Sequence, residues 1–207
     1  MLVSRRDINK AETRAAIAEA ARKIFKRAGF DGLTAEKIAE AAGVSRRTFF
    51  NYFPSVDSAL NVPVERFIES ILSSVEDLDT LVPLADLPVL AVSKVTDLGL
   101  FRSVAELFVL AKDYPPLARL QYETWESCSH RLIEFVEERF GRPLTLEGYA
   151  FVFSITGAGK SAFVFWEQET SGDFSDASMK KLHSYLVDGL SSLRYGFPTV
   201  RNFTREA

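Results

Sequence analysis

The stretch Thr34-Ala35-Glu36-Lys37-Ile38-Ala39-Glu40-Ala41-Ala42-Gly43-Val44-Ser45-Arg46-Arg47-Thr48-Phe49-Phe50-Asn51-Tyr52-Phe53 decides how the chain is read. It has the pattern of two short helices joined by a tight turn. Thr34 and Ser45 are residues that cap helix N-termini, because a hydroxyl oxygen accepts from a backbone N–H that has no intrahelical partner. Lys37 stands where a capping box needs Glu or Gln, so Thr34 is expected to cap alone. Ile38, Ala41 and Ala42 are the expected inner face of the first helix. Two helices that cross steeply need a small residue at their contact, and Ala39 supplies it. The turn favours a residue at positive φ, which Gly43 adopts without steric cost. Val44 is expected to plug the turn into the core, and Phe49 to pack the second helix back onto the first.

This packing leaves Arg46, Arg47, Thr48, Asn51 and Tyr52 facing outward or sideways, near the end that would enter a major groove. The side chains suit DNA. Arg forks onto guanine O6 and N7, Asn onto adenine, and Thr meets a thymine methyl or a phosphate. Thr34 and Ser45 add hydroxyls and free backbone N–H groups at helix starts, where phosphate oxygens are favoured. The expected DNA-binding set is therefore Thr34, Ser45, Arg46, Arg47, Thr48, Asn51 and Tyr52. Arg5, Arg6, Lys10 and Arg14 are placed to reach flanking backbone or minor groove from a flexible arm. The plain alternative is a helical hairpin with no nucleic-acid contact. The coincidence of turn chemistry with the outward Arg, Asn and Thr set favours DNA.

Charge agrees with this reading once it is resolved along the chain. The net charge of −3 argues against a nucleic-acid binder. Residues 1–60, however, hold 11 Lys/Arg against 7 Asp/Glu, and residues 61–207 hold 14 against 21. A basic head on an acidic body concentrates a phosphate-attracting field in one part of the molecule.

The remainder reads as helical nearly throughout. Ile17, Ala21, Ile24, Phe25 and Ala28 form one helical face before the hairpin, with Gly29 as its stop. After it, Val64, Phe67, Ile68, Ile71, Leu72, Val75 and Leu78 make a clean stripe. Pro63 precedes that stripe, and a proline inside a helix costs about 3 kcal/mol, so a break or kink is expected near Asn61–Pro63. Further helices are expected over 98–111, 116–140, 144–168 and about 175–195. The stretch between Pro83 and Pro88 carries no clear pattern. Phe151-Val152-Phe153 and Phe163-Val164-Phe165 would suit strands in another context. The expected fold class is all-α.

The run Leu33-Thr34, Ile38-Ala39, Ala42-Gly43-Val44-Ser45, Thr48-Phe49-Phe50, Tyr52-Phe53-Pro54-Ser55 resembles the signature of the TetR family almost position for position. The resemblance covers about residues 10–60; beyond it only length and helical layout are similar. It implies a three-helix helix-turn-helix head and a C-terminal bundle body of about six helices, divided as 1–60 for DNA binding and 61–207 for effector binding and dimerisation. It implies a homodimer through the last two long helices (144–168 and 175–195), an effector pocket in the body, and repression relieved by ligand. One position departs from the pattern. Where the family usually carries a phosphate-contacting Lys at the start of the fourth helix, this chain has Val56.

In the body, Phe67, Phe101, Phe108, Tyr122, Trp125 and Phe151, with Trp166 beside them, are candidates to line an apolar cavity for a small lipophilic or aromatic effector. Core packing is the plain alternative for each. Gly157-Ala158-Gly159-Lys160-Ser161 resembles the end of a phosphate loop. The first glycine such a loop needs is Ser154 here and no strand is expected before it, so small residues at a helix–helix seam is the better reading. His130 and His183 lack ligand-spaced neighbours, and no catalytic set of Ser, His, Asp or Cys assembles, so no metal, cofactor or enzymatic activity is expected. Cys128 reads as a core or pocket-wall thiol. The lone cysteine, the polar N-terminus and the lack of a 20-residue apolar run point to a cytoplasmic protein without membrane contact. The expected function is a sequence-specific DNA-binding transcriptional regulator acting on a near-palindromic double-stranded operator, a repressor released by an unknown effector. The rival is a helical small-molecule-binding protein or enzyme with a vestigial DNA-binding head.

Overall fold

A computed structural model of the chain describes residues 5–76, 78 and 81–197. The Arg6 side chain, read above as part of the N-terminal arm, lies outside what is described. Among the described residues the chain is all-helical, in the order α1 (Arg5–Ala28), α2 (Ala35–Ala41), α3 (Arg46–Tyr52), α4 (Val56–Leu60), α5 (Val62–Glu76), α6 (Leu87–Lys94), α7 (Leu98–Leu110), α8 (Pro115–Phe140), α9 (Leu146–Thr170) and α10 (Asp176–Tyr195). Both Phe-Val-Phe runs fall inside α9, whose length satisfies their backbone groups without a strand partner.

The chain divides into two compact units. The first comprises residues 1–63 with 110–121, the second 64–109 with 122–207. In the first unit α1 packs against α2 and α4, and α2 against α3. Ile17, Ala21, Ile38 and Phe49 have essentially no exposed surface. Tyr114, from the turn between α7 and α8, joins this unit. Its ring stacks on Phe30 with centroids 5.8 Å apart and stands edge-on to Phe25 at 5.7 Å.

The first unit differs from expectation in two places. α1 starts at Arg5, so Arg5, Lys10 and Arg14 project from a helix instead of a flexible arm, and Arg14 lies 4.9 Å over the Phe53 ring. Along α2 the buried residues are Ala35, Ile38 and Ala39, while Ala41 is exposed. Ala41 is two positions, about 200°, round the helix from Ala39 and so falls on the opposite face.

The expected break is at Asn61. It caps the C-terminus of α4, and Pro63 sits in the first turn of α5, where its missing N–H has no intrahelical partner to lose. In the second unit α10 packs on α9 and α6. Arg139 donates to the carbonyls of Val75 and Leu78 at 3.2 and 2.8 Å, placing a cation at the C-terminal end of α5. Arg102 ties α7 to the α9–α10 loop through the Phe174 carbonyl at 2.9 Å and the Asp176 carboxylate. The Trp166 indole donates to Ser178 Oγ at 2.8 Å, so the largest fully buried side chain leaves no unpaired polar atom at its ring nitrogen. No helix among the described residues is long and apolar enough to cross a membrane.

Candidate nucleic-acid interface and ligand cavity

The helix-turn-helix is built by its caps and its turn. Thr34 Oγ1 accepts from the Lys37 backbone N–H at 3.3 Å, and Ser45 Oγ accepts from Thr48 N–H at 3.0 Å. Gly43 takes φ 68°, which an L side chain adopts only with strain, and this reversal lets Val44 N–H reach the Ala39 carbonyl at 2.9 Å. Ala39 is 2% exposed at the contact, as its size demands. Val44 is only half-buried.

With Phe49 fixed inward, the outward side of α3 follows from helical spacing. Arg46, Arg47 and Asn51 are exposed, while Thr48 and Tyr52 are half-buried at its flanks. Ser45 is exposed and Thr34 half-buried at the two helix starts. Thr48 Oγ1 is shared with Ser45 Oγ at 2.8 Å. All seven expected residues thus lie on this helix pair, and the three with the most specific DNA chemistry face solvent.

Two residues absent from the sequence reading shape this surface. Glu36 on α2 holds the Arg46 Nε at 2.6 Å, with both side chains more than 60% exposed. Phe50 remains 45% exposed, and its ring lies 5.3 Å under the Arg46 guanidinium. Exposure of a large aromatic beside a cationic group is the signal that marks Phe50. Nothing in the sequence pairs Glu36 with Arg46, since they belong to different helices and meet only through the crossing angle. Val56, in the position of the family's usual lysine, is the half-buried first residue of α4, behind a Ser55–Ser58 capping box.

The second unit contains an inner cavity of about 100 Å³. Among the described residues no charged side chain lines it, and its only side-chain heteroatoms outside the Trp125 indole are the Cys128 sulfur and the Thr156 hydroxyl. The Thr156 hydroxyl is taken up by the Phe153 carbonyl at 3.0 Å and by Ser129 Oγ at 3.2 Å. Burial pushes the Cys128 thiol up to about 11, against a smaller opposing pull from Arg131, so it stays protonated in the wall.

Of the six aromatics expected at a cavity, Phe67 and Trp125 line this one. Phe101 is fully buried behind Phe67, ring to ring at 5.3 Å, and Phe108 stands against Phe163 at 5.5 Å. Tyr122 is 65% exposed with the Lys160 ammonium 4.6 Å over its ring. Phe151 lines a separate, open cavity of about 500 Å³ at the α8–α9 turn. Trp166 is core. Phe135, Phe163 and Leu132 line the inner cavity but were not anticipated, because helical periodicity identifies an inner face without saying where packing is incomplete.

Gly157–Ser161 lies wholly within α9, which excludes the open loop that cradles phosphates. Its small residues serve packing inside the chain. A Cβ on Gly159 would lie 3.7 Å from the Trp125 ring, and Gly189 of α10 approaches the Ala158 carbonyl. His183 Nε2 is 3.0 Å from the Val92 carbonyl, and His130 is exposed beside Glu126.

Among the described residues a helix-turn-helix in the first unit accompanies an all-helical second unit. Residues 17–58 match the family model of bacterial regulatory proteins, tetR family. The fold is similar to that of a TetR-family transcriptional regulator from Mesorhizobium loti MAFF303099, with a TM-score of 0.53 and 18% identity over 90% of this chain and 96% of that one. It is also similar to the flavonoid-responsive regulator FrrA, with a TM-score of 0.51 and 23% identity over 90% of this chain and 97% of the other. A TetR-family repressor of Thermus thermophilus, FadR, aligns at a TM-score of 0.46 and 22% identity over 94% and 97% of the two chains. No curated protein matches the sequence. Residues 17–58 thus carry the helix-turn-helix signature of the TetR family, and the fold of the chain is similar to that of TetR-family regulators.

Proposed function

We propose that this regulator is a repressor that binds a near-palindromic operator as a homodimer and is released by a small lipophilic effector held in its second unit. The observation that carries the DNA-contact assignment is the outward presentation of Arg46, Arg47 and Asn51 from a helix whose opposite side is locked by Phe49. Two such helices in successive major grooves require centres about 34–36 Å apart, which makes the operator's symmetry follow from the dimer's. Dimerisation is supported by the large apolar side chains left exposed on α9: Leu146, Tyr149, Phe153, Val164 and Phe165. The uncharged inner cavity supports a lipophilic effector. The effector favours a body conformation in which the heads are wrongly spaced, and a coupling of about 1–3 kcal/mol changes occupancy 5- to 150-fold.

The test is a gel shift with duplex DNA from upstream of the protein's own gene, across a salt series and with a panel of lipophilic compounds that includes flavonoids. Retarded complexes that weaken steeply with salt and dissolve with a compound are expected. Arg47→Ala and Asn51→Ala each weaken the specific complex more than the non-specific one. A chain that retards no duplex under any condition refutes the assignment.

A further inference from the structure

The inner cavity is too small for a whole effector. At about 100 Å³ it falls below the roughly 300–1,000 Å³ of ordinary ligand pockets. It is also less than the 150 Å³ or so of an apolar cavity that accepts benzene. The open cavity at the α8–α9 turn offers about 500 Å³ and a different chemistry: Arg142, Thr145 and Glu147 stand exposed at its rim. The two spaces share walls. Leu84 and Val136 line both, and Val136 is buried while Leu84 is half-buried on the turn before α6. A space without charge is thus separated by aliphatic side chains from a larger, wet, polar-rimmed one.

We propose that the effector is a single-chain amphiphile, with its apolar tail in the inner cavity, its chain crossing at Leu84, and its polar head in the outer cavity beside Arg142 and Glu147. The proposal rests on the reading of the second unit as an effector domain and names the chemical class that domain takes. A polar head cannot enter the inner cavity, because the Thr156 hydroxyl already has partners and no side chain there compensates a charge. A tail left in the outer cavity would forgo the burial that drives binding. Only a molecule polar at one end satisfies both compartments.

The experiment uses the full-length chain without DNA and 1-alkanols from butanol to decanol, with xenon as a small probe confined to the apolar space. Binding is followed by calorimetry. Affinity is expected to rise roughly fourfold per added methylene, the factor that corresponds to about 0.8 kcal/mol for each buried CH₂. Leu84→Trp, which blocks the partition, is expected to weaken decanol at least tenfold and xenon less than twofold. Leu84→Ala, which widens it, keeps or tightens decanol binding and serves where the tryptophan variant fails to fold. Arg142→Gln lowers the affinity ratio of decanoate to decanol, and Glu147→Gln raises it. Decanol binding no better than butanol, a decanol affinity indifferent to Leu84→Trp, a loss of decanol in Leu84→Ala, or a decanoate ratio unmoved by either rim variant each overturns the proposal. A chain that binds the series yet retards no duplex refutes the proposed operator binding alone. One that retards duplex but binds none of the series refutes the amphiphile alone.

Discussion

Phe49 is fully buried, tilted against Phe53 at 5.9 Å, and carries the packing of α3 onto its neighbours. Phe49→Ala is expected to lower the stability of the head by about 3–5 kcal/mol in urea unfolding, since it removes a buried ring and leaves a cavity. Ser45→Ala removes only a cap and costs about 1 kcal/mol by the same measurement. Cys128 gives a pH signature. Its folded pKa of about 11 stands above the ordinary 9.0, so above pH 9 the unfolded chain loses the proton first. The contribution is fully present below pH 9 and is lost as pH rises toward 11, at about 1.4 kcal/mol per pH unit. Unfolding free energies of wild type and Cys128→Val, compared from pH 8 to 11, are expected to show the wild type falling relative to the variant. At this scale the outward side of α3 was legible, because cap, turn and buried-aromatic constraints leave few orientations for a seven-residue helix. The cavity wall was less so. Phe101 and Phe108 obey the same periodicity as Phe67, and a void is a deficit of packing that no single residue encodes.

The helices among the described residues follow signals of unequal strength. Where a cap or a glycine stop sits beside an apolar stripe, as at Ser45 and Gly29, the sequence locates the boundary within a residue or two. Residues 87–94 gave no such signal, because α6 is apolar around most of its circumference and Pro88 stands at its start, not its end. The association of residues 110–121 with the head was also illegible, since it depends on Tyr114 meeting Phe25 and Phe30 across some eighty residues of chain. Pro63 shows how position decides cost. In the first turn of α5 it forfeits no hydrogen bond, and Pro63→Ala is expected to change thermal stability by less than about 1 kcal/mol. If the α4–α5 break takes part in the proposed effector coupling, that variant alters effector response; an unchanged response would remove Pro63 from the mechanism. Ser171 ends α9 at φ 51°, a conformation glycine takes more readily. Ser171→Gly is expected to raise the unfolding midpoint, gaining about 1 kcal/mol.

The exposed apolar side chains of α9 set the behaviour of the whole molecule. Phe153 is 46% and Phe165 49% exposed, and an aqueous surface seldom keeps several such residues together without a partner. Phe153→Asp is expected to shift the sedimentation coefficient from dimer to monomer and to abolish cooperative operator binding while the far-ultraviolet circular dichroism stays helical. Charge acts at the same scale: the acidic second part of the sequence repels a duplex, so approach is governed by the basic head. Within that head the Glu36 carboxylate already occupies the Arg46 guanidinium at 2.6 Å. Such an internal counterion works as a toll on every polyanion that arrives. With both side chains more than 60% exposed, the pair is worth at most about 1 kcal/mol, so a competing phosphate displaces the carboxylate at small cost. Glu36→Gln is therefore expected to tighten non-specific duplex retardation in a gel shift by no more than about fivefold, the most that the loss of so exposed a partner allows.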